Sequence, residues 1–142
     1  MISLKRKMEF IFRSELINVK QVVTKAIFFL RSAVPSLTIE EQSDLKLVLS
    51  ELLHNAVVHG NKSDTNKNVR LYVEIEDGMV VGWVADEGSG FNYVELLEHI
   101  DDEDLLNECG RGIRLVYSLT DRVDFSISGN AIRFYKRVAV HG

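Results

Sequence analysis

Apolar and polar positions along the chain change period several times, and each change marks an element. Met8 to Arg13 alternates loosely, which predicts an opening strand. Val19, Val22, Val23, Ala26, Ile27 and Leu30 then recur at helical spacing up to the single proline, Pro35, after Asn18-Val-Lys-Gln21 in the form of a capping box. Thr38-Ile-Glu-Glu41 is a cleaner capping box, and it opens a second helix expected to end at Gly60. A polar loop, Asn61 to Asn68, follows. Val69, Leu71, Val73 and Ile75 alternate with Arg70, Tyr72, Glu74 and Glu76 before Asp77-Gly78 and the apolar run Met79 to Ala85, which reads as a β-hairpin with an Asp-Gly turn. After Asp86-Glu-Gly-Ser-Gly90 an acidic, amphipathic segment through Asn107 has little core potential and is expected to form a mobile flap. Gly110-Arg-Gly-Ile113 begins another helix, carried by Ile113, Val116 and Leu119. Val123, Phe125 and Ile127 then alternate, and Ile132 and Phe134 follow the turn Ser128-Gly-Asn130. The order β-α-α-β-β-flap-α-β-β predicts an α+β fold: a two-layer sandwich, with helices on one face of a mostly antiparallel sheet, in a single domain over residues 1–142.

Within the second helix, Glu51, Asn55 and His59 stand four residues apart and form one polar stripe, bordered by Leu47 and Val58 on one side and by Leu52 and Val48 on the other. A helix apolar almost all round is expected to be buried. A carboxylate and a carboxamide buried without partners cost several kcal/mol, so something must face them.

Composition narrows the possibilities. A chain of 142 residues with 46% hydrophobic and 27% charged residues suits one globular domain. No apolar run approaches the roughly 20 residues of a membrane span, and the start lacks the apolar stretch of a signal peptide, so a cytoplasmic protein without a membrane partner is expected. The single cysteine, Cys109, excludes an internal disulfide and fits a reducing compartment. With 17 Lys+Arg against 21 Asp+Glu, the net charge of −4 argues against nucleic acid as a direct partner.

Three segments carry candidate chemistry. Asn55 offers an amide oxygen suited to Mg²⁺, and Glu51, one turn earlier on the same face, can take a proton from a hydroxyl or water attacking a γ-phosphate. The plainer alternative is a buried helix whose stripe hydrogen-bonds a neighbouring loop. Asp86, at a strand end, can accept a hydrogen bond from an exocyclic amine such as that of adenine, while Gly88 and Gly90 permit close backbone approach. An ordinary strand-to-loop turn has the same spacing. Gly110, Arg111 and Gly112 stand at an expected helix start, where free N–H groups, the dipole and the guanidinium suit a phosphate. A loop-to-helix junction with a solvated arginine reads equally well there. His59 is expected to pack at the helix end, and His54 to fall on another face without a second ligand at metal-site spacing. Trp83 and Phe91 are read as core, Asp101 to Asp104 as a solvated acidic run, and Cys109 as inert.

Taken together, a helix with Glu and Asn, a strand ending in Asp-x-Gly-x-Gly, a flap and a Gly-x-Gly helix start resemble the asparagine box and two glycine boxes of the GHKL ATPase superfamily, which includes gyrase, histidine kinases and MutL. The short chain, the His-Gly-Asn ending of the first box and the brief flap are most similar to the anti-sigma factor serine kinases. The resemblance implies ATP and Mg²⁺ as cofactors, with Asn55 as metal ligand, Glu51 as catalytic base and Asp86 as adenine reader. It further implies Gly88 and Gly90 beside the nucleotide, and Gly110, Arg111 and Gly112 at the phosphates. Two departures stand out: Gly129 is followed by Asn130 and Ala131 where the family often has Gly-Thr, and residues Asn92 to Asn107 lack the prolines common in the flap. The implied activity is an ATP-dependent serine protein kinase that phosphorylates an anti-sigma factor antagonist and sequesters a sigma factor, with a homodimer as the expected assembly. A nucleotide-gated binding module without kinase activity is the alternative. The detached catalytic domain of a histidine kinase is a third reading, disfavoured because nothing upstream resembles a dimerising helix pair.

Overall fold

The computed structural model describes residues 5–88, 108–126 and 130–138. The flap, Gly90, Phe91, the run Asp101 to Asp104 and Ile127 therefore lie outside the described residues. The elements are β1 (Arg6–Arg13), α1 (Leu16–Ala33), α2 (Ile39–Asn55), a π-helical turn (Ala56–Gly60), β2 (Asn68–Glu76), β3 (Met79–Ala85), α3 (Glu108–Leu119), β4 (Arg122–Phe125) and β5 (Ala131–Arg137). Their order is the one expected from the sequence. The strands form one sheet in the order β1-β2-β3-β5-β4, with every neighbouring pair antiparallel. The helices cover one face of it, giving the expected α+β sandwich.

Alternation explains the inner face of the sheet. Val69, Leu71, Val73 and Ile75 of β2 and Val80 and Val84 of β3 are buried, and they meet Leu45, Val48, Leu49, Leu52 and Leu53 of α2 in the core. Ile113 and Val116 of α3 and Phe134 of β5 complete it, each with no exposed surface. The hairpin turn has positive φ at both Asp77 (50°) and Gly78 (74°), the mirror-image turn whose twist matches its strands. The Thr38 box also forms: the Glu41 N–H donates to Thr38 Oγ1 (3.0 Å) and the Thr38 N–H to Glu41 Oε1 (2.9 Å).

Four expectations are corrected. Asn18 does not cap α1, which starts at Leu16; its amide instead donates to the carbonyl of Arg13 (3.1 Å), which also accepts from the Glu15 N–H (2.7 Å) where β1 ends. The second helix keeps α geometry only to Asn55. Beyond it, the Asn61 N–H reaches back five residues to the Ala56 carbonyl (2.8 Å), and this wider turn carries His59 off the line of Glu51 and Asn55. Nor is α2 buried on all sides, since Leu47 is 47% exposed. Trp83 is not core: it is out of phase with Val84, so it stands on the opposite sheet face between Tyr72 and Arg133. Among the described residues, no helix is long and apolar enough to cross a membrane.

Candidate functional site

The site is built at the C-terminal end of α2, where two clusters are joined by the π-helical turn. The first lies between α2 and α3. Glu51 is half-buried and Asn55 only 4% exposed, and Gly112 of α3 lies against both. A Cβ on Gly112 would overlap the Glu51 carboxylate and come within 3.8 Å of Asn55 Nδ2. The missing side chain is what leaves room for the two polar groups between the packed helices. Asn55 Nδ2 is buried and has no hydrogen-bond partner among the described residues. Such an orphan costs about 1–3 kcal/mol, a cost natural folds retain where a ligand satisfies the group. A half-turn of the carboxamide exchanges its nitrogen for its oxygen, so the same side chain can present a metal-binding oxygen in that gap.

The second cluster surrounds Asp86, which is 7% exposed at the end of β3. Its Oδ1 accepts from the Gly88 N–H (2.8 Å), and its backbone N–H donates to the Asn130 carbonyl (2.9 Å). Gly60, the last residue of the π-helical turn, presses against the Asp86 carboxylate so closely that a Cβ there would overlap it. A Cβ on Gly88 would run into the carbonyl of Gly60. Burial pushes the Asp86 carboxyl above its ordinary value of 3.8, partly opposed by the Gly88 N–H and by Lys67. This is a carboxylate held in a confined acceptor position.

The structure thus brings Glu51, Asn55 and Gly112 together, and separately Asp86 and Gly88. Gly110 falls in the first turn of α3, but Gly112 lies one turn in, where its N–H is used by the helix and its contribution is space. Arg111 is exposed. His54 does face elsewhere, into a groove of about 260 Å³ between α1 and α2 lined by Val19, Val23, Lys46 and Ser50. Among the described residues, no group of three His, Cys, Asp or Glu side chains could hold a metal ion.

Three residues of the site escape sequence reasoning. Asn61 reads as the start of a polar loop, yet it is fully buried and its amide spans three segments. Glu87 accepts from the Asn68 N–H, and Asn130, noted only as a departure, holds the main chain of Asp86. Only the sequence position of Asn61, directly after His-Gly at the helix end, hinted at a role.

A helix offering a carboxylate and a carboxamide across from a glycine, next to a buried aspartate at a strand end, fits the class of an ATPase domain. Residues 12–136 match the histidine kinase-like ATPase domain, and the chain belongs to that family. The nucleotide of such a domain is ATP. The chain is 34% identical over 88 residues to an anti-sigma F factor of Geobacillus thermodenitrificans, covering 61% of this chain and 60% of that protein. It is 28% identical over 107 residues to the anti-sigma F factor of Bacillus subtilis, covering 72% and 73%. To a serine-protein kinase RsbW of Staphylococcus aureus it is 30% identical over 109 residues, covering 71% and 69%. The chain thus spans 60% of the length of the Geobacillus relative.

Proposed function

We propose that this chain is an ATP-dependent serine protein kinase that phosphorylates an anti-sigma factor antagonist and sequesters a sigma factor. The observation that carries the proposal is the half-buried Glu51 carboxylate held over Gly112 beside Asn55, whose buried Nδ2 has no hydrogen-bond partner among the described residues. The names of the relatives, anti-sigma F factor and serine-protein kinase, support the choice of partners. In this reading residues 1–142 act as one cytoplasmic domain that pairs into a homodimer.

Glu51 takes the proton of the substrate serine as its oxygen attacks the γ-phosphorus, and the bond to ADP breaks. The Asn55 oxygen would hold Mg²⁺ together with ATP, and the ion would supply charge neutralisation on the transferring group. Asp86 accepts from the adenine amine, Gly88 and Gly90 line the base, Gly110 and Arg111 face the phosphates, Arg111 turning in from solvent to do so, and Gly112 keeps space open beside them for Glu51 and Asn55. The test is to mix the purified chain with Mg-ATP and a small antagonist domain. Phosphoserine on the antagonist is expected, and ATP binding without any transfer would favour the nucleotide-gated binding module instead.

Asp86 gives this reading a pH signature. Ionised, Asp86 offers the amine a charged acceptor that the neutral carboxyl lacks, and its raised value means that the proton arrives at a higher pH than for an ordinary aspartate. ATP affinity should therefore begin to fall on acidification at a higher pH than an ordinary aspartate would give, and Asp86→Asn should not show that component. For stability the sign is opposite: the contribution of Asp86 is fully present below pH 3.8 and is lost as pH rises through the raised value. Calorimetric titration from pH 7 downward on both proteins checks the first point, and parallel curves would remove Asp86 from the base site.

A further inference from the structure

Asp86 can discriminate a base only if its carboxylate is held in one place, and the peptide that follows it is gripped at both ends. The N–H of Glu87, on one side of the Asp86–Glu87 peptide, donates to Asn61 Oδ1 (2.7 Å). The carbonyl on the other side, that of Asp86, accepts from Asn130 Nδ2 at the longer distance of 3.4 Å. The shorter contact comes from the better-anchored residue. Asn61 is 0% exposed, and its Nδ2 donates to Ser14 Oγ (2.5 Å) and to the Asn68 carbonyl (2.9 Å). The carboxamide therefore ties the ends of β1 and β3 and the start of β2 to the end of the π-helical turn. Gly60, the residue before Asn61, is the one packed against the Asp86 carboxylate.

We propose that Asn61 is a positioning residue for base recognition, fixing the Asp86–Glu87 peptide so that the Asp86 carboxylate meets an exocyclic amine. This rests on the reading of Asp86 as the adenine reader. Rotation of that peptide would swing the carboxylate away from its place beside Gly60. The phosphate end of the site, formed by the first turn of α3, shares no hydrogen bond with Asn61, so its affinity should be unaffected by such a swing.

The experiment compares ATP with inosine triphosphate, which carries a carbonyl where adenine has its amine, by calorimetric titration at a temperature where each variant is folded by circular dichroism. Wild type should prefer ATP by about tenfold or more, the worth of one charge-assisted hydrogen bond. Asn61→Ala should weaken ATP binding by a similar factor, while inosine triphosphate binding changes less than about twofold, so that the preference collapses. Equal loss for both nucleotides, or loss of melting temperature with the preference intact, would make Asn61 a structural staple and overturn the inference. Should Asn61→Ala not fold, Asn130→Ala removes the weaker grip and should lower the preference partway, whereas an unchanged ratio overturns the inference. Asp86→Ala separates the two levels. If it abolishes the preference and Asn61→Ala does not, only the Asn61 inference falls. If wild type shows no preference, or Asp86→Ala keeps it, the reading of Asp86 falls and the inference with it.

Discussion

Glu51→Ala is expected to slow phosphoryl transfer to serine by about a hundred- to ten-thousand-fold, the range over which a positioned general base accelerates a reaction. The same variant should bind ATP within about threefold of wild type, because the groups assigned to the nucleotide are Asn55, Asp86 and the glycines rather than Glu51. Stability should change little. Glu51 is half-buried, and removing its carboxylate leaves no unpaired partner in place of the one that Asn55 already presents. Glu51→Gln sharpens the test, since it keeps the volume beside Gly112 and removes only the basicity. Single-turnover transfer measured with titration of ATP checks both halves. Transfer above about a tenth of the wild-type rate in Glu51→Gln would take the base role from Glu51.

Periodicity carried most of the fold because each element buries one face. The pattern of Val69, Leu71, Val73 and Ile75, the Asp77-Gly78 turn and the Thr38–Glu41 box are local signals, and each matches the local structure. What sequence could not supply came from contacts between distant segments. Asn61 is buried because Ser14, 47 positions away, and Glu87, 26 positions away, converge on its amide, and no local pattern encodes that. The π-helical turn has the composition of an ordinary helix end, so its displacement of His59 is invisible until the Asn61 N–H is seen bonded to Ala56. Trp83 went to the outer face because the phase of β3 is set by Val80 and Val84, and aromatic character alone does not fix a side. At the site, the place of Gly112 in the fold is not encoded by its spacing. Gly112 reads as a phosphate-binding amide, whereas in the fold it is the gap that admits Glu51.

That gap and the one at Gly88 should respond differently to the same substitution. Gly88→Ala would drive a methyl group into the Gly60 carbonyl, which is main chain and cannot rotate away. Gly60 is itself pressed against Asp86, and the N–H of the next residue is bonded to Ala56, so the π-helical turn or the Asp86–Gly88 turn must shift as a unit. Overpacking of that kind costs about 1–3 kcal/mol, and the melting temperature should fall by about 3–10 °C, with ATP affinity lost alongside as Asp86 moves. Gly112→Ala meets instead the far end of the Glu51 side chain, which can turn aside. Its melting temperature should stay within about 2 °C of wild type, because rotating one half-buried carboxylate costs little. Transfer should nevertheless drop toward that of Glu51→Ala, since the displaced carboxylate no longer faces the attacking hydroxyl. Thermal melts and transfer rates on the two alanine variants separate these outcomes. Equal melting losses would mean that Glu51 is as rigid as main chain. Full transfer in Gly112→Ala would mean that the orientation of Glu51 in this structure is not the one catalysis uses.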